Sequence, residues 1–288
     1  MPYTREELEQ MAQSVPFWWH SIDLGRGVVT NGFKTAAGLQ HELEALRLPD
    51  LRGKTVLDIG AYDGFFSFEA ERRGAARVVA LDHYVWALDL PKAIAYLREC
   101  NERGVPFDPE NEAAQLHPEK LPGMLAYKTA HRALDSKVET VVQDFLEADA
   151  ADLGAFDIVL FLGVLYHMQN PFLALQRVAA LTREVAIIET EAMALPGNEH
   201  RALCEFFEGQ ELNNDSSNWW APNERGLIGL CRAAGFSKVD VLTPPPSRPF
   251  SFALKNAAKM ILRGLPGGES SGYKLHTTQY RTVAHCTK

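Results

Sequence analysis

The chain has 288 residues, of which 46% are hydrophobic and 23% charged. Those values belong to a soluble globular protein with a core that needs neither disulfides nor metals, and they exclude wholesale disorder. Acids outnumber bases 37 to 29 for a formal net charge of -8, which excludes a uniformly basic nucleic-acid surface.

The longest apolar run, 158–166, is far too short to cross a bilayer. The N-terminus is acidic and lacks the apolar stretch of a signal peptide. Cys100, Cys204, Cys231 and Cys286 are scattered, with no C-x-x-C pair. A reduced, cytoplasmic setting is expected.

Thr4-x-x-Glu7 is a capping box that predicts a helix to about residue 13. The aromatic stretch Phe17-Trp18-Trp19-His20 follows, then a second helix over 34–47. Residues 1–50 thus read as a helical lid over a domain spanning 51–288. From Lys54 onward short apolar runs at 55–59, 77–82, 138–142, 156–162, 185–189, 239–242 and 280–285 read as strands. Helical patterns at 65–73, 170–181 and 225–234 separate several of them. This alternation predicts an α/β fold with a parallel sheet and crossover helices, the last strand reaching the sheet's edge. Two stretches break the alternation, 86–136 and 243–279, and read as insertions. The second contains Pro244-Pro245-Pro246, a stiff connector.

The sharpest chemical signal is Val56-Leu57-Asp58-Ile59-Gly60-Ala61-Tyr62-Asp63-Gly64, at a strand end that opens a helix. Glycine there lets the backbone turn sharply and pass close to a ligand. In open α/β sheets ligands sit at the carboxyl ends of strands, where the strand order reverses. The dinucleotide version of this turn, G-x-G-x-x-G, leaves room for a pyrophosphate. Here Asp58 and Asp63 flank the turn, repel a pyrophosphate and suit a cofactor with a cationic end. Asp82, at the tip of the next strand and 22 residues after Gly60, is placed to accept hydrogen bonds from two ribose hydroxyls.

This run resembles motif I of the class I S-adenosylmethionine-dependent methyltransferases. The resemblance implies a Rossmann-like, doubly wound, mostly parallel seven-stranded sheet, with the N-terminal helical lid and the two insertions added. It implies S-adenosyl-L-methionine as cofactor, held by Asp58, Gly60, Ala61, Tyr62 and Gly64 at motif I and by Asp82 and His83 at the ribose. Gln143, Asp144 and Phe145 match the adenine-contacting segment, and Leu162 and Gly163 close the site after the fourth strand. The stretch G-V-L-Y-H-x-x-x-P from Gly163 to Pro171, with Trp220-x-Pro222 and Ala233-Ala234-Gly235-Phe236, is similar to one branch of the family. That branch includes the transferase that builds 5-carboxymethoxyuridine at the tRNA wobble position. There the tyrosine matching Tyr166 helps hold an extra carboxylate on the cofactor. Two features depart from the branch. Tyr62 stands where motif I commonly has its middle glycine, and Pro16 to His20 replaces a basic lead-in.

Methyl transfer from a sulfonium asks the protein for in-line positioning and, for many acceptors, removal of one proton. His167, His20 and His83 are candidate bases, and His167 is the strongest because its loop borders the methyl group in this fold. Tyr166 offers a hydroxyl beside it. The bland alternative for His167 is capping the helix that starts near Asn170. Trp18, Trp19, His20, Trp219 and Trp220 either line a substrate pocket or pack the lid onto the sheet. No metal-ligand spacing is present, so no metal is expected. The sequence therefore predicts methyl transfer to a small-molecule acceptor. The alternatives are a tRNA wobble-uridine alkyltransferase, using this cofactor or its carboxylated form, and a catalytically silent cofactor-binding protein.

Overall fold

A computed structural model describes residues 2–103, 111, 115–148, 150–215, 217–246 and 277–288, so most of the second expected insertion lies outside the described residues. The first helix, α1 (Arg5–Gln13), starts at the expected capping box: Thr4 accepts from the Glu7 amide, and Glu7 accepts from the Thr4 amide at 2.7 Å. An antiparallel hairpin of β1 (Asp23–Gly25) and β2 (Val28–Val29) follows, which the sequence reading did not include. Next comes α2 (Ala36–Leu46), capped by the Thr35 side chain.

The alternation then unfolds as β3 (Thr55–Ile59), α3 (Phe65–Arg72), β4 (Arg77–Asp82), α4 (Tyr84–Ala87), α5 (Leu90–Arg103), α6 (Leu125–Leu134) and β5 (Glu139–Val142). It continues as α7 (Ala150–Leu153), β6 (Phe156–Leu162), α8 (Pro171–Leu181), β7 (Thr182–Ala194), β8 (Cys204–Phe206) and β9 (Trp220–Pro222). The described chain closes with α9 (Glu224–Ala233), β10 (Lys238–Val241) and β11 (Thr278–Thr287). The central sheet has seven strands in the order β10-β11-β7-β6-β3-β4-β5. The expected α/β, mostly parallel, doubly wound sheet is therefore present. β11 alone runs antiparallel to both neighbours.

Two expectations about these elements are corrected. β11 is not at the edge: it lies between β7 and β10, pairing with β7 from Thr278↔Ala194 to Thr287↔Val185. The buried Val283, Ala284 and Cys286 explain this, since an edge position would leave them half covered. Within the expected first insertion, α6 is a crossover helix of the core, burying Ala126, Tyr127, Ala130 and Ala133.

The sheet's two faces carry separate cores. One packs Leu57, Val159, Leu175, Leu227 and Ala284 beneath α8 and α9. The other gathers Val56, Ile158 and Val283 with residues of α3 and α6, and with Leu8, Met11, Trp18, Leu24 and Leu46 from the N-terminal segment. That segment is thus a covering layer of the sheet as well as a rim for its strand ends. Among the described residues, no helix is long and apolar enough to cross a membrane.

A single carboxylate ties this layer to the loop after β3. Asp63, with no exposed surface, accepts hydrogen bonds from the backbone amides of Trp19 (3.0 Å) and His20 (2.8 Å) and pairs with His20 Nδ1. Stripping one partner from a buried pair leaves the other desolvated and unsatisfied. Asp63→Ala is expected to lower unfolding free energy by about 3–5 kcal/mol in urea titrations. A loss below about 1 kcal/mol would show that the segment is held by its apolar face alone.

Candidate active site

The strand order reverses between β3 and β6: β4 and β5 follow on one side, β7 on the other. Gly60 closes β3 at this switch with a φ of +77°, and a Cβ on it would come within 2.6 Å of Val164 Cγ2 on the loop after β6. Glycine is needed on both counts. Its amide and that of Ala61 donate to the Leu81 carbonyl, which fastens the turn to the tip of β4. Tyr62, with a φ of +53°, takes the left-handed conformation in place of a glycine. Its amide donates to Asp82 Oδ2 at 2.9 Å, and its carbonyl accepts from Trp86 Nε1. The local strain of a left-handed tyrosine is offset by those two bonds and by a ring stack that runs from Tyr62 to Trp19 (5.4 Å) and on to Phe33 (5.0 Å).

Two buried carboxylates lie under this turn. Asp58 accepts from Ser67 Oγ at 2.6 Å, and burial pushes its carboxyl up to about 6. Burial likewise pushes Asp82 up to about 6, against the backbone donors Tyr62 and Val85 (3.2 Å). Each is a desolvated acid with no cation bonded to it among the described residues. Such groups are stabilised as carboxylates by a ligand that brings an ammonium and a pair of hydroxyls. The methionine ammonium and the ribose of S-adenosylmethionine have that chemistry, so the residues present fit the cofactor. Ala61 turns its side chain into the core and offers only backbone, and Gly64 begins α3 at a φ of +86°. His83 sits half-buried at the N-terminus of α4.

Beyond β5, the Gln143 amide donates to the Asp82 carbonyl at 3.3 Å, which keeps this segment beside Asp82. Asp144 is exposed and caps its own turn through the Leu146 amide. Phe145 turns inward against Phe161, at 5.4 Å, so its ring packs the core and not a nucleobase.

Where β6 ends, level with Glu189 of β7 and the N-terminal half of the antiparallel β11, a second polar group assembles. Leu162 is the last residue of β6, and Gly163 follows with a φ of +72°, its Cβ position 3.4 Å from Arg281 Nη2 and 3.5 Å from the Tyr166 hydroxyl. Arg281 forms a fork with both oxygens of Glu189, bonds Glu191 Oε1 at 3.1 Å and donates to the Tyr166 hydroxyl at 3.0 Å. Its side chain is 40% exposed, whereas Glu189, Glu191 and Tyr166 beside it are largely buried. Burial pushes the Tyr166 phenol up to about 12, so the group stays protonated near neutrality. His167 rests against the Tyr166 ring at 4.3 Å and meets Ser217 through Nδ1; burial holds its imidazole below the ordinary value. It does not cap α8, because Asn170 does so through the Leu173 amide.

The other aromatic candidates divide. Trp18 is buried in the core, with Nε1 donating to the Ala12 carbonyl at 3.0 Å, and is a packing residue. His20 is committed to Asp63, which in turn faces the N-terminal layer and not a cofactor, contrary to the reading of two acids at the cationic end. Trp19 is half-buried and stacks on Tyr62, so it borders the turn. Trp219 anchors the site loop by donating its amide to the Tyr166 carbonyl at 2.8 Å. Trp220 is half-buried on β9, with Nε1 lacking a partner among the described residues. A surface groove of about 520 Å³ lies elsewhere, bordered by Val15, Phe17, Trp18, Val28 and Phe33, and holds none of the strand-end residues. Sequence reading missed Arg281, Glu189, Glu191 and Ser217 as site residues. Only the charged alternation Glu189-Thr190-Glu191 on a strand end hinted at them.

The free protein holds Asp58 and Asp82 partly protonated below about 6. Ligand bonds to the carboxylates are therefore present above that value and fade as pH falls through it, while folding stability gains as the buried charges are neutralised. Calorimetry is expected to show S-adenosylhomocysteine binding weakened by roughly tenfold or more at pH 5 relative to pH 7.5. Flat affinity over that range would remove both acids from the cofactor site.

The comparisons with known proteins agree with this geometry. A family model described as a methyltransferase domain matches residues 34–241. The tRNA U34 carboxymethyltransferase of Psychrobacter arcticus is 25% identical over 195 residues, covering 68% of this chain and 47% of that protein. The protein of the same name from Desulfotalea psychrophila is 22% identical over 204 residues, covering 70% and 51%. The chain thus spans about half the length of the curated relatives it matches. Among solved structures, the N-terminal domain of EvdMO1, crystallised in the presence of SAH and D-fucose, matches with a TM-score of 0.53 at 17% identity, covering 99% of this chain and 98% of that one. The match over 34–241, on this strand order and this glycine turn, makes the chain a member of the class I S-adenosylmethionine-dependent methyltransferases.

Proposed function

We propose that the protein transfers the methyl group of S-adenosylmethionine to a small-molecule acceptor, with His167 as the base that takes the acceptor's proton. The observation that carries this reading is the cluster where β6 ends, beside β7 and β11. It brings a histidine and a phenol beside an arginine already shared by Glu189 and Glu191.

The cofactor supplies an electrophilic methyl group when bound. The chain's residues supply the rest. Asp82 and Asp58 orient the donor, and the loop after β6 borders the acceptor side. Nδ1 of His167 is occupied by Ser217, which leaves Nε2 to accept a proton. Arg281, Glu189 and Glu191 sum to one negative charge. That balance suits an acceptor that is neutral or cationic and rich in hydrogen-bond donors.

The second reading, carboxymethyl transfer to a tRNA wobble uridine, is favoured by the similarity to the U34 carboxymethyltransferases. Two features weigh against it. A carboxylate delivered beside Tyr166 would meet an arginine already paired with the carboxylates of Glu189 and Glu191. The formal charge of -8 also opposes a polyanion.

Incubation with methyl-labelled S-adenosylmethionine and separated metabolite and RNA fractions tests the proposal. Label is expected in a small molecule one methyl group heavier than its precursor. Label confined to RNA would contradict it. With the acceptor in hand, His167→Gln is expected to slow single-turnover transfer by about 10²–10⁴-fold at unchanged cofactor affinity. Near-parental turnover would remove the base.

A further inference from the structure

His167 Nδ1 is surrounded by oxygens that have no proton to give it. The Ser217 carbonyl, at 3.1 Å, can only accept. The Ser217 hydroxyl also lies near, at 2.9 Å, but its one proton goes to Asp215 Oδ1 at 2.6 Å. Asp215 Oδ1 is fixed in turn by the Ser217 amide at 2.9 Å. The hydroxyl therefore turns a lone pair toward the ring. With two acceptors facing it, Nδ1 must carry the proton. A neutral imidazole has one proton, so Nε2 holds the lone pair. Among the described residues nothing bonds Nε2.

We propose that Asp215 and Ser217 are positioning residues that act through His167, fixing its tautomer so that Nε2 is the proton-accepting nitrogen. The inference deepens the base reading and rests on it. The loop is itself well placed for the task. The Trp219 amide donates to the Tyr166 carbonyl at 2.8 Å, and Asn218 Nδ2 donates to the Leu212 carbonyl at 2.9 Å. The loop that carries Asp215, Ser217 and Trp219 is thus tied to the turn after β6.

The charges around the ring come from three elements. Asp215 on the loop and Glu191 on β7 favour its protonation, whereas burial and Arg281 on β11 oppose it. Glu189 and the Tyr166 hydroxyl face the same arginine and moderate its field. Asp215 is the carboxylate linked to the ring through a hydrogen-bonded hydroxyl, so its removal alters the tautomer balance as well as the charge. During transfer the ring gains a proton at Nε2 from the acceptor while the acceptor forms its bond to the methyl carbon and the carbon–sulfur bond breaks. The Nδ1 proton stays on Nδ1, donated to the Ser217 oxygens, and Asp215 stabilises the imidazolium through the Ser217 hydroxyl.

The tautomer measurement needs no acceptor. The full chain, labelled with ¹⁵N at histidine, gives two-bond proton–nitrogen spectra in which His167→Gln assigns the His167 signals. At pH 8 the parent is expected to show the Nδ1–H tautomer. Asp215→Ala frees the Ser217 proton, and the Nε2–H population is expected to rise by roughly tenfold, the scale of one hydrogen bond to a charged group. Ser217→Thr, which keeps the hydroxyl, is expected to retain the parental spectrum. Because folded spectra are compared directly, a misfolded variant is recognised at once, and the parent and the threonine variant still decide the tautomer.

A parent that shows Nε2–H overturns the inference and leaves the base reading without its free nitrogen. An Asp215→Ala spectrum identical to the parent's also overturns it, while His167 itself stays in play. A parent in the Nδ1–H form whose His167→Gln variant transfers methyl groups at full rate overturns the base reading instead, and the positioning role falls with it.

Discussion

The site depends on one buried carboxylate. Asp63 lies in the loop between β3 and α3, and its oxygens gather two backbone amides and a ring nitrogen from Trp19 and His20. No exposed ion pair has comparable leverage, because water screens charges at the surface and pays back little for pairing them. Through Asp63 the N-terminal layer is locked to the glycine turn after β3. Trp19 can then stack on Tyr62, and Tyr62 can hold its left-handed backbone while donating to Asp82. A glycine at that position would turn as readily but would present no ring to the N-terminal layer.

The two halves of the site follow opposite electrostatic rules. On the cofactor side, Asp58 and Asp82 are buried acids left short of cations, and burial lifts both. Their desolvation is a standing cost in the free protein that a cationic, hydroxyl-bearing ligand offsets. On the proposed acceptor side the charges are already paired: Arg281 with Glu189 and Glu191, and Glu191 also with Asn213 at 3.0 Å. Those groups hold one another in place, the preorganisation that the proposed orienting of a neutral acceptor requires.

Much of the fold was legible because strands buried on both faces read as continuous apolar runs. β3, β4 and β6 have the bounds that the runs 55–59, 77–82 and 156–162 imply. β7 runs on to Ala194, well past the expected end near Glu189, because its extension pairs with β11. Nothing in the charged Glu189-Thr190-Glu191 announces a strand. α6 escaped notice because it buries small alanines around Tyr127 and not a stripe of large apolar residues. In the site, the glycine turn with Asp58 and Asp82 was readable from spacing. Asp63 was misread because spacing cannot tell which way a loop carboxylate points. Arg281 looks in sequence like one polar residue of an alternating strand. Its role comes from lying opposite Glu191 across the β7–β11 pair, which only the register reveals. Asp215 and Ser217 sit in a polar loop with no periodicity to mark them.

The central claim is that the methyl donor spans the switch point, with its ribose on Asp82 and its sulfur toward Tyr166 and His167. A crystal structure of the protein with S-adenosylhomocysteine tests it most directly. The account predicts both ribose hydroxyls bonded to the Asp82 carboxylate, the methionine ammonium on the Asp58 side of the glycine turn, and the sulfur facing the loop after β6. A nucleoside bound away from Asp82, or a sulfur turned away from Tyr166 and His167, would contradict it.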